Sequence, residues 1–161
     1  MGFAFGIEDL LAYLEWDRSQ WHAWFREQGR PALAVELGAN NTGRIRNVGE
    51  LVRHIFSAEK RYVQRSLQVP LMDTSAIPAD DVEKLFAFGV ESRRALRELL
   101  ASFPDTEWDA PREMSFDGHT RIVTSRKMIV QAVTHELRHW AQVATLLRQA
   151  GYKPGVHDFI V

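Results

Sequence analysis

At 161 residues, with 45% hydrophobic and 25% charged side chains, the chain has the size and composition of one ordinary globular domain and can bury a sizeable core. Twenty basic side chains nearly cancel 21 acidic ones, and the net charge of −1 leaves no global positive field to hold nucleic acid. The absence of cysteine excludes a disulfide framework, a thiolate metal site and a cysteine nucleophile, and is compatible with a reducing cytosol. The segment Met1 to Asp9 has no basic stretch and meets Glu8 and Asp9 almost at once, so it does not read as a signal peptide. Gly6 stands where a myristoylation motif wants serine or threonine, and the longest apolar runs fall far short of a membrane span. The expectation is one domain over residues 1–161, cytoplasmic and not membrane-bound.

Four segments show helical periodicity. In the first, Ile7, Leu10, Leu11, Leu14, Trp21 and Phe25 recur at three- and four-residue steps, and the pattern ends near Gly29-Arg30-Pro31. A Gly- and Asn-rich loop follows, from Gly38 to Gly43. The second helix starts at about Asn47, an N-cap residue, and puts Val48, Leu51, Val52, Ile55, Tyr62 and Val63 on one face before Pro70. The third opens after Pro78, with Asp80, Asp81 and Glu83 at its positive end, and Pro104 closes it. Around Asp117-Gly118 the polar turn predicts a short hairpin. A fourth helix is predicted from about Ser125 to Gln149, with Gly151 just past its end and Pro154 beyond. Four helices of bundle length without a strong strand pattern predict an all-α four-helix bundle.

His135-Glu136-Leu137-Arg138-His139 lies in the fourth helix. Residues four apart project from one face, so the imidazoles of His135 and His139 can reach one point. Neutral imidazole suits zinc, nickel, iron and copper, and two such ligands make half a site. His54, near the polar border of the second helix, is the candidate third ligand if the second and fourth helices touch. Three nitrogens with one open position form the pattern of a catalytic rather than a closed structural site. The same HExxH string matches zincin proteases, but Thr145 stands where a metzincin needs histidine, and no glutamate follows Glu136. Only His157 and Asp158 remain as candidates for a third zincin ligand, beyond a glycine and a proline, so the protease reading is weak.

The stretch from Leu51 to Tyr62, LVRHIFSAEKRY, and the stretch from His135 to Gln142, HELRHWAQ, followed by Leu147 to Gly151, resemble the second- and fourth-helix signatures of the DinB/YfiT-like superfamily. The likeness runs along nearly the whole chain. It implies a four-helix bundle connected up-down-down-up, a three-histidine metal site carried by His54, His135 and His139, and a homodimer. One departure is Trp140-Ala141, where many members have arginine and glycine. Some relatives are thiol-dependent transferases or isomerases and others are proposed hydrolases. The resemblance therefore implies a metal-dependent enzyme acting on an unidentified small molecule, with a low-molecular-weight thiol as a possible second cofactor. Zinc or nickel is the expected ion, and iron and manganese are also compatible. The non-catalytic alternative is a metal-binding or stress-response bundle that serves as a dimeric interaction module.

Several residues around the site have two readings. Glu59 and Glu136 project from the apolar faces of their helices, and buried carboxylates need partners. They either orient a ligand histidine and handle protons, which makes them the catalytic candidates, or pair with Arg18 or Arg93, with Asp17 in the same polar layer. Gln142 reads as a hydrogen bonder across the bundle. Trp140 reads as core or as a wall of the cleft, and Arg44 and Arg46 as a clamp for an anion or as ordinary surface. His22 and His119 read as spectators, and His157 as a ligand only if the tail folds back. Trp16 and Trp24 lie outside the main apolar stripe, which suggests a dimer partner for that surface.

Overall fold

The computed structural model describes residues 4–38, 45–116 and 118–159. Arg44, Asp117 and most of the Gly- and Asn-rich loop lie outside the described residues. Helix α1 spans Ile7–Gln28, a one-turn α2 spans Arg30–Leu33, and α3 spans Val48–Leu67. Helix α4 spans Val82–Ser102, strands β1 (Arg112–Phe116) and β2 (His119–Val123) follow a 3-10 turn, and α5 spans Ser125–Gln149.

The helix ends follow from side chains that satisfy the free amides of a first turn. Asn47 accepts from the Glu50 amide at 2.9 Å and Asp81 from the Lys84 amide at 3.0 Å. Thr124 accepts from the Lys127 amide at 3.2 Å, and Asp9 reaches back to the Gly6 amide at 2.7 Å. The third helix thus begins at Val82 rather than just after Pro78, because Asp81 and not Asp80 takes the cap; Asp80 pairs with Arg30 instead. Gly151 has φ +89° just past α5, the left-handed geometry expected of it. The sequence reading misses α2. Pro31 reads as a breaker, yet it also suits the first turn of a helix, where its missing N–H costs nothing.

Contacts between helices fix the connectivity. Gly49 backs onto Ala79, Phe56 onto Gly89, and Glu59 meets Ser92 and Arg93, so α3 and α4 run in the same direction. Arg26 meets Glu83 while Arg97 meets Glu8, so α1 opposes α4. Trp21 stacks on Trp140 and Arg18 reaches Glu136, so α1 and α5 are parallel. The order is up-down-down-up. The hairpin is held to the C-terminal half of α3 by Arg112, which donates to the Ser66 carbonyl at 3.0 Å, and by Arg65 lying over the Phe116 ring at 4.6 Å.

Two apolar clusters fill the bundle. Phe25, Ile55, Phe56, Phe86, Trp140 and Leu147 anchor one; Leu11, Leu14, Val63, Leu96, Ile129 and Val133 form the other. Between them lies a layer of buried charge: Arg18 and Arg93 against Glu59 and Glu136. The close approach of α3 to the segment before α4 depends on Gly49. A Cβ there would stand 1.9 Å from the Ala79 carbonyl oxygen, a backbone atom that cannot step aside cheaply. Gly49→Ala is therefore expected to destabilise by about 2 kcal/mol or more, despite alanine's better helix propensity. A urea midpoint equal to wild type would contradict that packing.

Candidate metal centre

His54 on α3 and the pair His135 and His139 on α5 meet on one side of the bundle, all three half-buried. The Nε2 atom of His135 lies 3.0 Å from that of His54 and 3.1 Å from that of His139. Three nitrogens bound to one zinc ion at 2.0–2.1 Å with tetrahedral angles stand about 3.3–3.4 Å apart. The two separations made by His135 are within a few tenths of an ångström of that spacing, the ligand atoms of all three residues lie within 4.8 Å of one another, and the three could hold a metal ion.

The chemistry of the donors fits a cation as well. Gln142 Oε1 lies 2.9 Å from His139 Nδ1 and accepts its proton, which leaves a lone pair on His139 Nε2 facing inward. His135 Nε2 can donate at most one proton to its two neighbours, whereas a cation would satisfy all three lone pairs at once. Burial, then the neighbouring His139 and His54 and the charges of Arg138 and Arg61, push the His135 pKa down to about 3. Near neutral pH that imidazole is uncharged, the state a metal ligand needs. Gln142 does not cross the bundle: it serves His139 from within α5. Gln142→Ala is expected to weaken metal affinity about 10- to 100-fold by freeing the ring, without abolishing binding. A competition titration with a chromogenic chelator reads this directly, and unchanged affinity would remove Gln142 from the site.

The histidines border an open cleft of about 750 Å³ between α3, the segment from Leu71 to Ser75, and the hairpin residue Phe116. His54 and His135 line it, with Arg53, Arg61 and Arg65 from α3. The sequence reading passes over these arginines. The signal was present, since Arg61 and Arg65 stand seven and eleven residues after His54 and so share its face of the helix.

Glu59 and Glu136 are elsewhere. Glu136 accepts from Arg18 at 2.6 and 2.8 Å, from Arg93 at 2.8 Å and from Trp140 Nε1 at 3.1 Å. Glu59 accepts from Arg93 at 3.0 Å and from Ser92 at 3.0 Å, and lies 3.1 Å from Arg18. No described contact links either carboxylate to a ligand imidazole. The geometry is that of the ion-pair alternative, made with both arginines. Burial pushes the Glu59 carboxyl up, but the charges of Arg18 and Arg93 outweigh it and hold the group below the ordinary carboxylate range.

The remaining candidates also have places. The tail does fold back, but His157 hydrogen-bonds Asp17 and stacks on Trp21 at 4.2 Å rather than joining the cluster. Asp17 is thereby tied to the tail, apart from the four-charge layer. Trp140 is core, 3% exposed and stacked on Trp21 at 5.1 Å. Arg46 is engaged by Glu50, His22 stacks on Phe86, and His119 lies in β2. Trp24 finds its partners within the chain, donating to the Lys153 carbonyl at 3.2 Å and packing edge-on to Tyr152.

The sequence profile of the DinB family matches residues 3–161. The crystal structure of a DinB-like protein from Bacillus cereus ATCC 10987 superposes with a TM-score of 0.66 at 16% identity, covering 93% of this chain and 96% of that one. At such identity the likeness concerns the fold. No curated protein matches the chain. Among the described residues, no helix is long and apolar enough to cross a membrane.

Proposed function

The chain belongs to the DinB family, and from that premise we propose that it is a metal-dependent enzyme holding one first-row divalent cation through His54, His135 and His139. The observation that carries the reading is the convergence of three imidazole Nε2 atoms beside an open cleft of metabolite size. Zinc or nickel suits an all-nitrogen donor set, and iron and manganese are the next candidates. Bound there, the ion would supply a Lewis acid with a free position toward the cleft, able to lower the pKa of a water or thiol. The chain's own part is to hold the three rings, to fix His139 through Gln142, to keep His135 uncharged, and to present a substrate from the cleft side. Two reaction classes fit this arrangement: group transfer to or from a low-molecular-weight thiol, and hydrolysis.

Elemental analysis of purified protein, repeated after zinc or nickel supplementation, tests the first half of the proposal. About one ion per chain is expected, and a chain that takes up none under either condition rules the proposal out. A transfer assay with low-molecular-weight thiols then separates an enzyme from a metal-binding bundle that only mediates interactions. A homodimer is part of the proposal on the strength of Trp16, which remains half-buried on the outer side of α1. A monomeric mass at tens of micromolar protein would remove that part alone.

A further inference from the structure

The cleft holds a cation of its own that the metal reading does not use. Arg61 Nε is buried without a hydrogen-bond partner, and among the described residues Arg61 makes no ion pair. Arg61 as a whole is half-buried, but a donor atom taken out of water without an acceptor is unfavourable, and structures normally pair it. One turn closer to His54, Ser57 is 1% exposed, and its Oγ is likewise without a partner. Both residues line the cleft, as does Arg65, whose guanidinium lies over Phe116. The acids on the same wall are already occupied. Glu50 is gripped by Arg46 at 2.6 Å, and Asp73 accepts from the Ser75 amide at 2.8 Å. Arg53 is spent on the Ile77 carbonyl at 2.9 Å. What remains without a partner on the α3 wall is the Arg61 Nε–H and the Ser57 hydroxyl.

Helix geometry sets the direction. Arg61 follows His54 by two turns, about 10 Å along the axis, and helical side chains lean toward the N-terminus. The Arg61 guanidinium therefore leans back toward the histidines, and the Ser57 hydroxyl lies between them.

We propose that the cleft binds a small oxyanion-bearing molecule, a carboxylate or a phosphate ester, whose charged group docks on Arg61 and the Ser57 hydroxyl while the rest of it faces the three histidines. The inference rests on the metal reading only for what lies at the far end of the ligand. The anion subsite itself is built by α3 alone. A planar guanidinium with parallel N–H groups matches both oxyanion geometries, and 750 Å³ is room for a molecule of metabolite size.

The test titrates inorganic phosphate and, separately, succinate into zinc-loaded and chelator-treated protein. It follows the Arg61 Nε–H resonance, identified by its loss in Arg61→Lys. At least one of the two anions should shift that resonance saturably in both preparations, and in parallel calorimetric titrations Arg61→Met should bind it about tenfold more weakly than wild type or worse. Arg61→Gln serves if the methionine variant does not fold. No saturable shift with either anion, or an Arg61 variant that binds as tightly as wild type, overturns the proposal. So does anion binding that vanishes with the chelator, since the anion would then be sitting on the metal. Metal content measured on the same samples keeps the two readings apart. Anion binding in a chain that takes up no metal leaves this inference standing and removes the metal centre, and one ion per chain with no anion effect does the reverse.

Discussion

Replacing His139 with alanine abolishes stoichiometric metal binding while the helical circular-dichroism signal stays close to that of wild type. Catalytic zinc sites are built from three protein ligands, and two imidazoles on one helix are half a site. The fold has little reason to notice the loss. His139 is half-buried, its side-chain hydrogen-bond partners among the described residues are His135 and the exposed Gln142, its ring meets His54 edge-on, and alanine is the best helix former. The measurement is elemental analysis after dialysis, beside a far-ultraviolet spectrum. Metal content unchanged at about one per chain would place any ion elsewhere, and a collapsed spectrum would mean the histidines support the bundle rather than a ligand.

Glu136→Ala has the opposite profile: metal binding persists in the fraction that folds, and stability falls by about 3–5 kcal/mol. The layer between the two apolar clusters contains two guanidiniums and two carboxylates, and its charges cancel. Removing Glu136, 2% exposed and the acceptor of four hydrogen bonds, leaves Arg18 and Arg93 with Glu59 as their one fully buried counter-charge, Glu15 reaching Arg93 at 3.6 Å only from the half-exposed edge. A net positive charge is then trapped in the core, where relaxation and water penetration relieve only part of the cost. For a chain of this length the expected fall in melting temperature is about 6–20 °C. A loss below about 1 kcal/mol would mean the layer is far wetter than its burial implies. Acid should reveal the same layer in wild type. The Glu59 carboxyl is held below its ordinary value of 4.5, so its stabilisation is complete above that pH and is lost as pH falls through the lower folded value.

The helices were legible because their ends are written in local chemistry: Asn47, Pro70, Pro104 and Gly151 act on their immediate neighbours. The four-residue α2 was not, since a single turn is shorter than the period that would reveal it. The spacing of His135 and His139 was legible for the same local reason. That His54 joins them depends on α3 lying against α5, a fact of packing, and only the family resemblance anticipated it. Glu59 and Glu136 were correctly placed in the interior, but their partners could not be chosen. Arg18 and Arg93 come from two other helices, and an inward-pointing acid looks the same whether it faces a metal ligand or a guanidinium. Arg61 and Arg65 escaped because arginine on an amphipathic helix ordinarily faces water. Here that face is roofed by the segment Leu71–Ser75 and by Phe116, which no periodicity predicts.

The charged layer also bears on how the chain assembles. Glu59 and Arg93 are 34 residues apart and Arg93 and Glu136 are 43, but Arg18 and Glu136 are separated by 118. The α3–α4 part of the layer can form over short loops, while the Arg18 contacts must close most of the chain, the step with the greatest entropic cost. An assembly of α3, α4 and α5 without α1 holds two carboxylates and one guanidinium in a drying interior, so it is penalised until α1 docks and Arg18 restores neutrality. Partly built bundles are thereby raised in free energy relative to both the open chain and the finished one. The same four side chains that separate the apolar clusters make folding all-or-none.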